Sequence, residues 1–156
     1  MLTDHCAWPF NNDLAIEIML ARFPALRHGR DYLIANPCDE KTRAPTGPPF
    51  FMAWNVADIT PPSMADLADE FAANESHYRA ALARRYRNMM LAATDARAMA
   101  PPDAPALFSR ANPWIAFRQA LRDLPKQPGF PFEIAWPECP DQQPQGDSDG
   151  THDEIG

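Results

Sequence analysis

The sequence predicts an α+β protein that is mainly helical, and two kinds of pattern support this prediction. Apolar residues recur at helical spacing through residues 63–93 and again through residues 114–124. Residues 31–35 and 50–56 are short β-type runs. We therefore expect a small N-terminal helix plus a β-hairpin, a long helix and a shorter helix packed as an αα-hairpin, a C-terminal extended segment and a disordered acidic tail.

Length and composition favour a modest globular core. The chain has 156 residues and a hydrophobic content of 46%, which is ordinary for a soluble globular protein. Its 18 prolines are about twice the usual share and cluster between the predicted elements, so they mark boundaries. We divide the chain into a small N-terminal α/β unit (residues 1–60), a helical region (residues 61–140) and the tail (residues 141–156).

The first helix is predicted over residues 14–22, where Asn12 or Asp13 can cap the first turn and Pro24 ends the helix. We expect the two β-type runs that follow to pair as a hairpin, although the connection between them is long. Trp54 in the second run is expected to cover the small core.

The longest predicted element begins after Ser63, which is a good N-cap residue. Asp66 stands three positions later and can bond back to the cap as in a capping box. Acidic residues gather early in this region and arginines late, which suits the helix dipole. A polar gap at residues 72–77 leaves two alternatives open, one helix of about thirty residues or two helices in line.

The shorter helix presents an apolar face made by Trp114, Phe117 and Leu121, which stand at positions i, i+3 and i+7. Arg118 and Arg122 flank that face. We expect the apolar face to dock on the stripe of the long helix, giving an αα-hairpin.

The segment that follows alternates apolar and other residues between two prolines. Phe130, Phe132, Ile134 and Trp136 lie at every second position, which is the period of a strand with one apolar face. The sequence therefore predicts an extended segment at residues 130–136.

Four motifs in this part of the chain resemble the C-terminal signature of the phage tail assembly chaperone family. They are RNMMLAATD at residues 87–95, PDAP at 102–105, FRQALRDLP at 117–125 and GFPFEIAWP at 129–137. The resemblance covers about the C-terminal third, in the family's order and at similar spacing. The family usually has a Trp directly after the Asp of the first motif, whereas Ala96 and Arg97 follow Asp95 here. Any contact made by that Trp is missing or rebuilt in this chain.

The resemblance implies a bacteriophage or prophage tail (tail-fibre) assembly chaperone that is not an enzyme. Its partner would be a phage tail or tail-fibre protein, whose apolar or unpaired strand surface it covers until assembly buries it. The expected location is the cytoplasm of the bacterial host, with the virion tail as the other setting. The alternative is a minor structural tail or fibre-associated subunit retained in the particle, and a regulatory adaptor is a weaker third.

Aromatic and arginine side chains dominate the energetics of many protein interfaces. Part of the C-terminal aromatic group is expected in the core, and the rest to remain exposed as a partner-binding patch. Arg122 with Asp123 also fits an intramolecular turn clamp. The partner-binding candidates are Trp114, Phe117, Arg118, Leu121, Arg122, Asp123, Phe130 and Trp136.

The sequence gives no support for a catalytic, cofactor or metal site. The four histidines are scattered along the chain, no Ser lies in a nucleophile elbow and no glycine-rich loop is present. The three cysteines are far apart, without metal-ligand spacing, and fit a reducing environment. Asp95, Asp103 and Asp123 lie at helix ends or beside prolines, so capping and turn roles are favoured over catalytic ones.

The net charge of −7 comes mainly from the tail. Residues 141–156 hold five acids and no Lys or Arg, and the remaining chain has 16 acids and 14 bases. Because no basic stripe is present, nucleic-acid binding is not expected. No apolar run is long enough to span a bilayer and no secretory signal is visible, so no membrane association is expected either.

Overall fold

The computed structural model describes residues 9–99 and 112–142. Within these ranges the chain forms four α-helices and one two-stranded antiparallel sheet, which confirms the mainly helical α+β prediction. The elements are α1 (Asn12–Arg22), β1 (Tyr32–Ala35), β2 (Phe50–Trp54), α2 (Met64–Ala73), α3 (Glu75–Ala93) and α4 (Pro113–Asp123). The predicted acidic tail lies outside the described residues from position 143 onward.

The N-cap of α1 is Asn11, one residue before the predicted candidates. Its side-chain oxygen accepts a hydrogen bond from the Leu14 amide at 3.0 Å. Asn12 instead donates its backbone amide to the Asn36 side chain at 2.7 Å. The prediction of Asn12 or Asp13 as the cap was therefore wrong, because the Asn11 side chain makes the capping bond and Asn12 is already the first helical residue.

Helix α1 lies at the centre of the fold. It contacts α2, α3 and β1, and six consecutive residues in it are buried. Leu20 is the exposed large apolar side chain of this helix, at 38%. A helix that is apolar nearly all round is expected where neighbours surround it on several sides.

The predicted hairpin is confirmed. Strands β1 and β2 pair with Tyr32 opposite Trp54, and the register shifts between Leu33 and Ile34. Trp54 packs against the core, as predicted, and its indole N–H donates to two carbonyl oxygens of the following loop at 2.9 Å.

The long connection between the strands is held by its own side chains. The Asp39 carboxylate accepts hydrogen bonds from the backbone amides of Lys41 and Thr42 at 2.9 and 2.7 Å. The Asn36 side chain donates to the Gly47 carbonyl at 2.9 Å. These bonds close the loop locally, so the strands can pair across a connection of this length.

The region predicted as one long helix or two forms two helices, and Asn74 separates them. The capping box of Ser63 and Asp66 at the start of α2 is present as predicted. Asn74 leaves helical geometry, with φ −134° and ψ 31°, and its side-chain amide donates to the Glu70 carbonyl at 3.2 Å. A side chain that bonds to the last turn of a helix competes with continuation of that helix.

Two hydrophobic clusters form the core. The larger cluster joins α1, β1, α2 and the first half of α3, and the smaller one joins α4 to the end of α3. Ile134 and Trp136 of the C-terminal segment pack against both clusters. That segment therefore connects the two parts of the core.

The C-terminal segment begins with a turn, so the predicted strand period at residues 130–136 is wrong for its first half. The Gly129 carbonyl accepts hydrogen bonds from the Phe132 and Glu133 amides at 2.8 and 2.7 Å. A Cβ at Gly129 would lie 2.5 Å from the Glu133 carbonyl oxygen, so this turn requires glycine. From Ile134 the chain is irregular and pairs with no strand among the described residues.

Candidate partner-binding site

Helix α4 forms where its apolar period predicts it. The Asn112 side chain caps it by accepting a hydrogen bond from the Trp114 amide at 3.0 Å, and Pro113 occupies the first turn. The helix ends at Asp123, and a 3₁₀ turn over Leu124–Lys126 follows. These local signals fix the start and the end of the element that carries most candidate residues.

The inner face of α4 is core. Phe117, Leu121 and Leu124 are 7%, 0% and 1% exposed, and they pack with Met90 and Leu91 of α3. The candidates Phe117 and Leu121 are therefore buried core residues that pack α4 against α3.

Arg118 is buried and fastens α4 to the end of α3. Its guanidinium donates to the Leu91 carbonyl, to the Thr94 hydroxyl at 2.9 Å and to the Asp95 carboxylate. The Leu91 carbonyl also accepts the Thr94 backbone amide at 3.2 Å, so the arginine adds a charged donor to a carbonyl at the end of the helix. Asp95 follows the end of α3, but its side chain makes no capping hydrogen bond and pairs with Arg118 instead.

Trp114 lies half-buried at the edge of α4, between two neighbouring side chains. Its ring meets Phe117 edge-to-face with centroids 5.6 Å apart, and the Arg97 guanidinium lies 4.6 Å from its centroid. Arg97 also forms an ion pair with Asp141. The segment where this sequence departs from the family pattern, Ala96 and Arg97, thus contributes a cation–π contact to Trp114.

Asp123 holds a turn, although its partner is not the neighbouring Arg122. Its carboxylate accepts hydrogen bonds from the Lys126 ammonium at 2.6 Å and the Gln119 amide at 3.0 Å, which lower the pKa of Asp123. The clamp expected between Arg122 and Asp123 is therefore formed by Lys126. Arg122 is exposed and has no ion-pair partner in the part of the chain that the structure describes.

An open groove of about 490 Å³ lies beside α4. Two large apolar side chains at this groove are exposed, Ile115 at 41% and Met99 at 70%. Neither residue was among the candidates predicted from the sequence. The signal for Ile115 was present, since it is a large apolar residue in α4 outside the i, i+3, i+7 face. The groove is lined by Asp95, Ala98, Met99, Ile115, Arg118 and Arg122.

The two remaining candidates lie in the C-terminal segment, away from this groove. Phe130 packs on the larger cluster, and the Arg84 guanidinium lies 5.4 Å from its ring centroid. Trp136 packs against both clusters, and its buried indole N–H has no hydrogen-bond partner among the residues that the structure describes. Both rings are half-buried and connect parts of the core.

The extended part of this segment is held by one side chain. The Gln127 amide donates to the Ala135 carbonyl at 2.8 Å, and its oxygen accepts from the Ala135 backbone amide at 2.9 Å. Gln127 thus bonds both backbone groups of Ala135, as a neighbouring strand does.

Other chemistry-bearing residues do not converge in the described chain. His28 accepts a hydrogen bond from the Ile34 amide at 3.1 Å, and His77 contacts the ring of Tyr78. Within the described ranges, residues 9–99 and 112–142, no cluster of His, Cys, Asp and Glu has the arrangement of a metal site. His5, His152 and Asp103 lie outside these ranges.

No helix in the described part of the chain has both the length and the apolar character needed to span a membrane.

Two family models match adjoining segments of the chain. Residues 80–141 match the phage tail assembly chaperone protein family, and residues 15–79 match the XkdW protein family. The first match contains all four motifs, together with α4 and its groove, so the resemblance to this family is confirmed. The second match was not expected from the sequence. Neither a curated protein nor a solved structure matches the chain.

Proposed function

We propose that this protein, whose residues 80–141 belong to the phage tail assembly chaperone family, binds a tail or tail-fibre polypeptide while the phage tail is assembled and catalyses no reaction. The family match carries this proposal. The structure adds a surface within the matched segment, since α4 and the groove both lie inside it.

The groove beside α4 is the surface that best fits a polypeptide partner. Ile115 and Met99 supply exposed apolar area, and Arg122 supplies a guanidinium at the edge. Apolar contacts next to an arginine are typical of the centre of protein interfaces. A rigid support favours binding because less side-chain and backbone freedom is lost on association.

The candidate residues divide into two groups under this proposal. Trp114 and Arg122 lie at the surface of α4, whereas Phe117, Arg118 and Leu121 hold the helix in place from within. Substitution of a buried member would disturb the fold as well as binding. The test therefore uses exposed residues.

The binding test is co-expression of the chain with the tail-fibre protein of the same phage, followed by affinity purification. Ile115→Asp places a charge in the groove and should lower the recovered fibre protein about tenfold, which corresponds to about 1.4 kcal/mol. Leu20→Asp is the matched control, because Leu20 is also helical and 38% exposed against 41% for Ile115. Equal recovery with both variants would contradict the proposed surface.

The role itself is tested on purified phage particles. A chaperone leaves once assembly is complete, so mass spectrometry should find the fibre protein and not this chain. We place the protein accordingly in the host cytoplasm during assembly. Recovery of the chain at fixed stoichiometry in intact particles would instead support the structural-subunit alternative.

A further inference from the structure

We propose that the acidic C-terminal tail of this chain, residues 143–156, docks on the basic side of the groove beside α4. The tail carries four acidic residues and no Lys or Arg. The groove is the one lined by Ile115, Met99 and Arg122 together with the Arg118–Asp95 pair. The tail would thus compete with the partner polypeptide for the groove beside α4.

The described chain ends at this surface. The last described turn, Pro140–Gln142, contacts α4. Asp141 in this turn pairs with Arg97, whose guanidinium lies over the ring of Trp114. The first acid of the acidic region is therefore already bound to a cation next to α4, and the tail continues from there.

Among the described residues around the groove, one cation has no ion-pair partner. Arg118 is paired with Asp95, and Arg97 is paired with Asp141. Arg122 is exposed and unpaired among the described residues, because its neighbour Asp123 is bound to Lys126. Within residues 9–99 and 112–142, the edge of the groove thus carries a positive charge without an ion-pair partner, and the tail carries four negative charges.

The tail is long enough to cross the groove. Its 14 residues span up to about 46 Å when extended, at about 3.3 Å per residue. Attraction of this kind requires no regular secondary structure, so it agrees with the composition of the tail. It should weaken with added salt, since exposed charges are screened over about 10 Å at 0.1 M.

One consequence concerns the partner. A polypeptide that binds in the groove has to displace the tail, so the docked tail would lower the apparent affinity for the partner. This consequence rests on the proposed function. Docking of the tail itself does not require a partner. It is therefore measured in the isolated full-length protein, and its failure would leave the chaperone role untouched.

The test follows the backbone amide resonances of Asp147, Asp149 and Asp153 by NMR in the full-length chain at low salt. Their chemical shifts should differ from those of a synthetic peptide of residues 143–156. The differences should disappear at about 0.5 M NaCl and in the Arg122→Gln variant. Arg43→Gln, in the exposed loop between β1 and β2, is the matched control and should leave the tail shifts unchanged.

Three results would overturn the proposal. The first is identity of the tail shifts with those of the free peptide at low salt. The second is a dependence of the shifts on protein concentration, which would assign the contact to a second copy of the chain. The third is that Arg122→Gln changes the amide chemical shifts of residues 100–111 and leaves those of the tail unchanged, which would assign the groove to residues 100–111.

Discussion

Arg118 shows how one side chain can join two helices. It is 8% exposed and bonds three oxygen atoms at the end of α3. Hydrogen bonds to a charged group are worth about 1.5–3 kcal/mol each in a buried setting, but Asp95 is largely exposed and can be rehydrated. The contribution of Arg118 is therefore dominated by the Leu91 carbonyl and the Thr94 hydroxyl.

We expect Arg118→Ala to lower the free energy of unfolding by about 2–3 kcal/mol, because the Leu91 carbonyl and the Thr94 hydroxyl each lose a charged hydrogen-bond donor. Urea denaturation followed by circular dichroism measures this change. Arg122→Ala on the exposed side of the same helix is the control and should stay within about 0.5 kcal/mol of the parent protein. A loss for Arg118→Ala as small as the control would show that α4 is held by its apolar face alone.

Glu17 is a buried carboxylate in the middle of α1. Burial raises the pKa of Glu17, the guanidinium of Arg85 at 2.7 Å acts in the opposite direction, and Asp13 adds to the rise. The folded protein thus holds the proton more tightly than the unfolded chain. The stability contribution of Glu17 is therefore greatest at low pH and falls as the pH rises through the two pKa values.

Glu17→Gln removes this titration without changing the size of the side chain. We expect the unfolding free energy of the variant, minus that of the parent protein, to increase as the pH rises from about 4 toward neutrality. Urea denaturation at a series of pH values measures this difference. Acids with lowered pKa values, such as Asp31 and Asp123, are present in both proteins and cancel. A difference that is constant or falls with pH would contradict the assignment.

At the scale of elements, the sequence predicted correctly those features that depend on contacts between residues close in the chain. The capping box at Ser63 and the helical period of α4 needed only neighbours in sequence, and both are present in the structure. The break at Asn74 was visible as a polar gap, yet the gap alone did not distinguish one helix from two, and in the structure the Asn74 side chain bonds the Glu70 carbonyl at the break. The strand period at residues 130–136 failed because alternation of apolar residues does not reveal the turn closed by Gly129.

The extended part of the C-terminal segment gives a prediction at the same scale. Gln127→Ala removes both bonds to Ala135, so we expect the Ala135 amide to exchange with solvent at least about tenfold faster, for a loss of about 1.4 kcal/mol. Hydrogen–deuterium exchange followed by NMR measures this rate. Gln119→Ala, an exposed glutamine of α4 bonded to Asp123, is the control. An unchanged rate at Ala135 would mean that the segment is held by Ile134 and Trp136 alone.

At the scale of the molecule, the sequence could place candidate residues on a helix face but not decide what covers that face. Phe117 and Leu121 share a face with Trp114, and only the packing of α4 on α3 separates buried from exposed members. Ile115 was overlooked for the same reason, since exposure depends on residues far away in the chain. The assignment of candidates to core or surface therefore required the tertiary structure.

The two family matches meet between residues 79 and 80, inside α3. The larger cluster draws on both sides of this junction, with Leu14 and Phe71 before it and Leu82 after it. Polar contacts cross it as well, since the Tyr86 hydroxyl donates to Asp13 at 2.7 Å. The two matched segments thus share one core in the described chain, and the division predicted at residue 60 stays a prediction.

Because the two matched segments share one core, recombination between related genes at this junction would disturb the packing of the protein. A crossover at residue 79 would join the first five residues of α3, and every element before them, from one ancestor to the rest of α3 from another. The hybrid would keep its reading frame, but Leu14 and Leu82 would no longer come from one parent, and the cluster that contains both would pack well only if the parents carried interchangeable side chains there. Viable mosaics should therefore inherit the two segments as a pair.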